Sequence, residues 1–346
     1  MKILFSSYVF SPSVGGIETV AALLAPEFVR SGHEVALVTL TGEDDGKSWP
    51  FAVQRSPGPA QLLELTRWCD VFFQNNISLQ LAWPLLFVRR PWIISHSTWI
   101  DRLGARGKLR DQLKRFLLPY GVNVTVSRAV AHGIPVASTI VGNPYSDDIF
   151  RQIPGITRDR ELIFVGRLVS DKGVDLLIQS LADLRALGLS PRLTIAGSGP
   201  EEPALRLMAA NLGVANQIEF AGSKEPREIA RLLNAHQVLV VPSRWAEPFG
   251  IVVLEGLGCG CAVIAARMGG LPEAVGSCGL LFATDNPKAL TEALHTMLTQ
   301  PATLEKFRQN AGPHLGQFQT ATVAARYLEV FERARLASHA HHLRRA

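Results

Sequence analysis

One pattern occurs twice and fixes the class of fold. Lys2 to Ser6 is a short apolar run, followed by a loop that ends in Gly15-Gly16. An amphipathic stripe of Val20, Leu23, Leu24, Phe28 and Val29 comes next, Gly32 closes it, and Glu34 to Leu40 is a second apolar run. The unit restarts at Leu162 to Val165, with a loop from Gly166 to Gly173 and a stripe of Val174, Leu177, Ile178, Leu181 and Leu184. Leu193 to Ala196 then follows as its second strand. A strand, a crossing helix and a strand can close only as a parallel pair, so each half predicts an open α/β sheet. At 346 residues the chain has room for two such domains, each with its own core.

Composition agrees and excludes some classes. Hydrophobic residues make up 47% of the chain, yet no apolar run reaches the ~18 residues of a membrane span. The longest candidate, Leu81 to Val88, is interrupted by Pro84. Met1 to Phe5 reads as a strand, not a signal peptide, because no small-residue cleavage site follows a long apolar core. Cys69, Cys259, Cys261 and Cys278 form neither CxxC nor zinc spacing, so a reduced, cytoplasmic chain is expected. The net charge of +5 favours an anionic partner, a sugar nucleotide or an anionic membrane face. Nucleic acid is not expected, since no recognition motif for it is present.

The stretch from Gln237 to Gly256 carries the most chemistry. Gln237 to Val241 is a buried-strand run that Pro242 ends. Pro248 suits the first turn of a helix. That places Glu247 at the helix mouth and Glu255 eight positions on, about 80° away in rotation and about 12 Å in rise. Glu255 sits among Val252, Val253, Leu254, Leu257 and Cys259, with no basic residue within a turn. A carboxylate there needs a partner from elsewhere. A pair of ribose hydroxyls and a long-range ion pair in a core helix both satisfy that need.

Glu247, seven intervening residues and Glu255, with Pro248-Phe249-Gly250 between them, resembles the EX7E motif of retaining, nucleotide-sugar-dependent glycosyltransferases of family 4. The resemblance extends over nearly the whole chain. It implies the GT-B fold, two Rossmann-like domains facing across a cleft. The first would span residues 1–150, completed by a terminal helix at about 321–337. The second would span 160–316, joined to the first through Gly142 to Phe150 and a polar linker reaching Arg160. The tail His339 to Ala346 is expected to be disordered.

The same resemblance assigns roles. Glu247 would hold hydroxyls of the donor hexose, and Glu255 the nucleotide ribose. Backbone N–H groups of Phe249, Gly250 and Ile251 would face sugar and phosphates. Gly166, Arg167 and Lys172 match a GR…KG segment, in which Arg167 can fork two phosphate oxygens and Lys172 adds a point charge. Gly197, in the loop after Leu193 to Ala196, would help wall the base pocket. Gly15 and Gly16 match an entry loop beside the donor phosphates; read alone, the pair also fits a plain tight turn. His96 closes the strand run Trp92 to Ser95, where ligands of open α/β sheets bind, and would face the donor sugar. The first domain lacks G-x-G-x-x-G, so a nicotinamide site is poorly supported.

The activity implied is transfer of a hexosyl group from a nucleoside diphosphate sugar to an acceptor hydroxyl, with retention. Its setting would be synthesis of polysaccharide, glycolipid or glycoconjugate. An epimerase on the same fold and an inactive transferase-like scaffold are the alternatives. No D-x-D occurs, so no cofactor is expected and turnover is expected to be metal-independent. Arg102 to Pro119 carries Leu109, Leu113, Phe116 and Leu117 on one helix face, flanked by Arg106, Lys108, Arg110, Lys114 and Arg115. Two readings stand: the stripe packs on the first domain, or the basic face rests on an anionic membrane beside a lipid-linked acceptor.

Overall fold

The computed structural model describes residues 1–13, 15–100 and 109–343. The chain divides into two units, Met1–Pro144 with Phe318–Ala346, and Tyr145–Gln317.

The first unit is built on β1 (Lys2–Ser7), β2 (Glu34–Thr39), β3 (Ala52–Arg55), β4 (Val71–Asn75), β5 (Trp92–His96), β6 (Val122–Thr125) and β7 (Ser138–Ile140). They form one parallel sheet in the order β3-β2-β1-β4-β5-β6-β7. The central strands β1, β4 and β5 are buried along almost their whole length. That explains why they read as continuous apolar runs, since helices cover both faces. Helix α1 (Gly16–Arg30) covers one face with Val20, Leu24 and Phe28. Its Phe28 meets Phe331 with ring centroids 5.4 Å apart, and Phe331 lies 5.0 Å from Phe73. Phe331 belongs to the long C-terminal helix of this unit, Thr320–Leu343, whose Tyr327 also shares a 2.8 Å hydrogen bond with Ser95. The helix therefore continues beyond residue 337 into the tail expected to be disordered.

The second unit holds β8 (Arg160–Val165), β9 (Leu193–Ala196), β10 (Ile218–Gly222), β11 (His236–Val241), β12 (Ala262–Ala266) and β13 (Gly279–Phe282). They too form a parallel sheet, in the order β10-β9-β8-β11-β12-β13. The edge strands β3 and β13 have no counterpart in the sequence reading. Both are short and mostly half-buried, so neither carries the apolar run that marks a central strand.

Two expectations about connections change. The stretch 151–160 is no free linker, because it is fastened to the second unit. Asn234 accepts from the Ile153 N–H at 2.8 Å and donates to the Arg151 carbonyl at 3.0 Å. Arg158 donates to the carbonyls of Leu233, His236 and Cys259. The break in the chain falls earlier, at Pro144–Tyr145.

The amphipathic stretch also differs. Helix α2 is Leu109–Leu117 and buries none of its residues fully. Leu109 is 80% and Phe116 65% exposed, while Lys114 and Asp111 pair at 3.6 Å on a more sheltered side. Only Leu117, with Leu118 beyond the helix, packs on the core of this unit. So Leu109, Leu113 and Phe116 of the stripe face out while Leu117 packs inward, and the expectation that the whole stripe packs on the first domain is corrected. Arg106 and Lys108 lie outside the described residues. No helix among the described residues is long and apolar enough to cross a membrane. The four cysteines are free and buried.

Candidate active site

In each sheet the chain winds outward in both directions from a central pair of strands. Loops leaving that pair diverge, and the crevice between them is where open α/β sheets bind ligands. In the second unit the pair is β8 and β11. The loop after β8 carries Arg167 and Lys172, and the loop after β11 carries Glu247. Lys172 Nζ and Glu247 Oε1 form a short ion pair. Ser243 Oγ donates to the same oxygen at 3.1 Å. Glu247 Oε2 has no partner among the described residues, so it is open to a ligand hydroxyl.

The loops meet backbone to backbone, and glycine makes this possible. A Cβ on Gly197 would lie 1.9 Å from the Gly166 carbonyl oxygen. Gly173 has φ +67°, and its Cβ would lie 2.2 Å from the Pro242 carbonyl oxygen. A side chain at Gly173 would push apart the loops that carry Lys172 and Glu247, and one at Gly197 would push the loop after β9 away from the loop after β8. Arg244 fastens the same junction. Its guanidinium forks Asp175 at 2.6 and 2.7 Å and reaches Asp285 at 2.6 Å. Its backbone N–H donates to the Asp171 carbonyl at 2.8 Å.

The Arg167 side chain is exposed, with no hydrogen-bond or ion-pair partner among the described residues. A free guanidinium in the same loop as a paired ammonium is suited to an oxyanion, since it loses no existing bond when the anion arrives.

The helix after Glu247 starts later than the sequence suggests. Helix α3 is Ile251–Gly258, and Gly250, at φ +103°, is its N-cap. Pro248 and Phe249 lie in the preceding bend, with the Phe249 side chain buried. The expected spacing of Glu247 and Glu255 along one helix therefore does not apply. Glu247 sits in a loop, held by its pairing with Lys172 and by the Gly270 N–H, which donates to its carbonyl at 2.7 Å. Glu255 lies inside the helix, half-buried, with no side-chain partner among the described residues. Burial pushes its carboxyl up to about 7. The long-range ion pair that could have explained it is absent among those residues.

In the first unit the central pair is β1 and β4. Gly15 and Gly16 open α1 after β1, and Asn75, at the end of β4, donates to the Ile17 carbonyl at 2.9 Å. An added Cβ on Gly16 would meet no atom within 4 Å, but one on Gly15 would lie 2.8 Å from Glu18 Oε2, so a carboxylate stands at the mouth of α1. His96 ends β5 and is 1% exposed. Its Nε2 lies 2.9 Å from Asn123 Oδ1. Asn123 Nδ2 already donates to the carbonyls of Leu118 and Gly121, so the oxygen faces His96 and Nε2 is the protonated nitrogen. Burial lowers the His96 pKa, which keeps the ring neutral and leaves Nδ1 as an acceptor.

The sequence reading missed Ser243, Arg244, Asn76 and Asn123. Asn75-Asn76 was visible as two amides ending an apolar run beside the sheet's central pair. Arg244 gives no such signal, because its partners Asp175 and Asp285 lie far away in sequence.

Residues 146–312 match the family model described as glycosyl transferases group 1. The second unit is a group 1 glycosyl transferase domain. Among curated relatives of the chain, the D-inositol 3-phosphate glycosyltransferase of Corynebacterium glutamicum (strain R) is 32% identical over 235 residues. That match covers 65% of this chain and 56% of the relative. The protein of the same name from Frankia alni is 38% identical over 184 residues, 50% of this chain and 44% of the relative. The chain thus spans about half the length of the curated relatives it matches. Among solved structures, sucrose-phosphate synthase from Thermosynechococcus elongatus superposes with a TM-score of 0.79 at 19% identity, covering 97% of this chain and 99% of that one. Anabaena HepE, solved with UDP and glucose, gives 0.76 at 20% identity over 96% of this chain and all of its own. These likenesses establish the GT-B fold for a group 1 glycosyl transferase domain and its companion unit.

Proposed function

We propose that the chain is a retaining glycosyltransferase that moves a hexosyl group from a nucleoside diphosphate sugar to an acceptor hydroxyl. The observation that carries this reading is the grouping at the β8/β11 crevice. A free Arg167, a Lys172–Glu247 pair and a partnerless Glu255 all lie in a group 1 glycosyl transferase domain. HepE, of the same fold, was solved with UDP and glucose, and the curated relatives are named as glycosyltransferases.

The chemical difficulty is charge building on the departing diphosphate. Arg167 and Lys172 supply cations there, and the Gly250 and Ile251 N–H groups at the mouth of α3 add dipoles. Phe249 belongs to the same bend. Glu247, held by Lys172 and Ser243, presents Oε2 to the donor sugar's hydroxyls. When the diphosphate binds, Lys172 is shared between it and Glu247, so donor and carboxylate are positioned together. Glu255 accepts from the ribose hydroxyls, which supply the partners it lacks. Gly166 and Gly197 hold the loops beside the base. In the first unit, Gly15 and Gly16 lie beside the donor phosphates at the start of α1, where Glu18 has to turn away to admit an anion, and neutral His96 accepts a sugar hydroxyl through Nδ1. Retention follows front-face attack, in which the leaving phosphate takes the acceptor proton. The diphosphate charge is assigned to Arg167 and Lys172 and not to a divalent ion, so no cofactor is invoked.

We also propose peripheral contact with an anionic membrane through α2, at a cytoplasmic face. Its exposed Leu109, Leu113 and Phe116 offer apolar insertion, and Arg110 lies beside them.

The test is a panel of UDP-, GDP-, ADP- and TDP-sugars scored by melting shift. A donor at 100 times its dissociation constant adds about 2.7 kcal/mol, and one member should do so. If none shifts the transition, the donor assignment is wrong.

A further inference from the structure

A cavity of about 320 Å³ lies at the edge of the first unit's sheet, with Asp44, Lys47, Trp49, Phe51, Val53 and Arg55 on its wall. It falls at the lower end of the roughly 300–1,000 Å³ of small-ligand pockets. The edge strand β3 forms one side. Val53 and Arg55 lie two apart on it and so share a face, and Phe51, just before the strand, continues the alternation. The connection from β2 to β3 supplies Asp44, Lys47 and Trp49.

That connection is largely exposed, yet it is fastened to the loop between β1 and α1. Ser11 Oγ donates to Asp45 Oδ2 at 2.5 Å, and the Phe10 N–H donates to Thr41 Oγ1 at 3.0 Å. The Phe10 and Trp49 rings lie 5.0 Å apart. Arg55 donates to the Ser11 carbonyl at 2.8 Å. The wall is thus held in place from outside the cavity, which lowers the cost of ordering it around a ligand.

Three properties of the wall define that ligand. The first is apolar surface, since Trp49 and Phe51 stack with centroids 5.6 Å apart and both are half-buried. The second is cancelled charge. Arg55 pairs with Asp44 at 3.2 Å and Lys47 with Asp45 at 3.0 Å. The Asp44 side chain is 67% and that of Lys47 64% exposed, so an ion of either sign meets a like charge at the cavity. The third is an unused donor. Trp49 Nε1 is buried and has no hydrogen-bond partner among the described residues. A buried indole N–H ordinarily has a partner. A neutral ligand with an apolar face and many hydroxyls meets all three conditions. The C–H face of a pyranose ring lies on the aromatic wall, while its hydroxyls donate to Asp44 and accept from Lys47 and Trp49.

We propose that this cavity is a secondary site for a neutral sugar unit of an oligosaccharide. It goes beyond the transferase reading, because nothing in it requires a nucleotide or a reaction. Its Arg55 end adjoins the loop after β1, and β3 lies two strand spacings, about 10 Å, from β1. A glycan held here stays beside the β1/β4 crevice at a raised local concentration.

The test is calorimetric titration of the full chain with four neutral hexasaccharides, maltohexaose, cellohexaose, mannohexaose and laminarihexaose. At least one should bind, and Phe51→Ala and Trp49→Phe should each weaken it about fivefold or more. Trp49→Phe keeps a ring against Phe10, so it decides the matter if Phe51→Ala fails to fold. Both variants should keep the wild-type melting shift with the sugar-nucleotide donor. A saturating donor should not displace the hexasaccharide, and Lys172→Ala should not weaken it. Binding of none of the four, binding untouched by Trp49→Phe, or displacement by the donor overturns this inference and leaves the transferase reading standing. Hexasaccharide binding as described, without a melting shift from any sugar nucleotide, supports this site and removes the transferase reading instead.

Discussion

Glu255→Gln is the most informative single change. The Glu255 carboxyl titrates at about 7 rather than 4.5, because burial in α3 disfavours its charge. Each tenfold change in proton affinity corresponds to about 1.36 kcal/mol, which caps the cost of charging it at roughly 3.4 kcal/mol. Some solvent reaches this half-buried group, so about 2 kcal/mol is a fairer figure. The sign follows from linkage. Between pH 4.5 and 7 the folded chain holds a proton that the unfolded chain has lost, so stability falls as pH rises through that window. Glutamine keeps the shape and removes the charge. Glu255→Gln should match the wild type at pH 4 and exceed it by about 2 kcal/mol at pH 8, read by urea denaturation. Donor affinity should move the other way. A hydrogen bond to a charged acceptor contributes roughly 1.5–3 kcal/mol, so the variant should bind a sugar nucleotide about ten- to a hundredfold more weakly at pH 8. Wild-type donor affinity should also rise with pH up to about 7 and then level off, a dependence the variant lacks. A variant no more stable at pH 8, or one that binds donor unchanged, refutes the argument that this carboxylate is held unpaired for a ligand.

Three further expectations follow from the same site. Lys172→Ala and Glu247→Gln should each cut turnover by about a hundredfold or more, and because the two side chains are only 23% and 16% exposed, removing either partner should also lower the stability of the fold; wild-type turnover in either variant removes the pair from the chemistry. Activity should survive EDTA, and loss of activity that Mg²⁺ or Mn²⁺ restores would move the diphosphate charge from Arg167 and Lys172 to a metal. Wild type should co-sediment with anionic liposomes at low salt and less as salt rises, while Leu109→Asp with Phe116→Asp should abolish it without affecting donor binding; indifference of the wild type ends the membrane proposal.

Most of the sheet architecture was legible because parallel strands buried on both faces carry their signal in consecutive residues. Leu193–Ala196 is read with its observed limits. The edge strands β3 and β13 escaped because half-buried strands lose that signal. The helix after Glu247 was misplaced because Pro248 is an equally good residue for a bend, and only the packing of Phe249 and the left-handed Gly250 decide between the two. The outward stripe of α2 was legible as a stripe, yet periodicity cannot say whether a partner covers it. Within the site, Lys172 and Glu247 could each be named from sequence. Their pairing could not, since the two residues lie 75 positions apart and meet only at the crevice between β8 and β11. Asn76 went unread for a related reason. Its chemistry lies in which of its two amide atoms is occupied, and that is set by the backbone of Ser97 and Thr98.

The central claim is hexosyl transfer from a nucleoside diphosphate sugar with retention. The most direct measurement is proton NMR of the chain turning over the donor chosen by the melting-shift panel, with a panel of sugar and polyol acceptors. The account predicts acceptor-dependent release of the nucleoside diphosphate and a new glycosidic linkage with the donor's own anomeric configuration, both lost in Lys172→Ala. Release without a new linkage, or a linkage of inverted configuration, would contradict it.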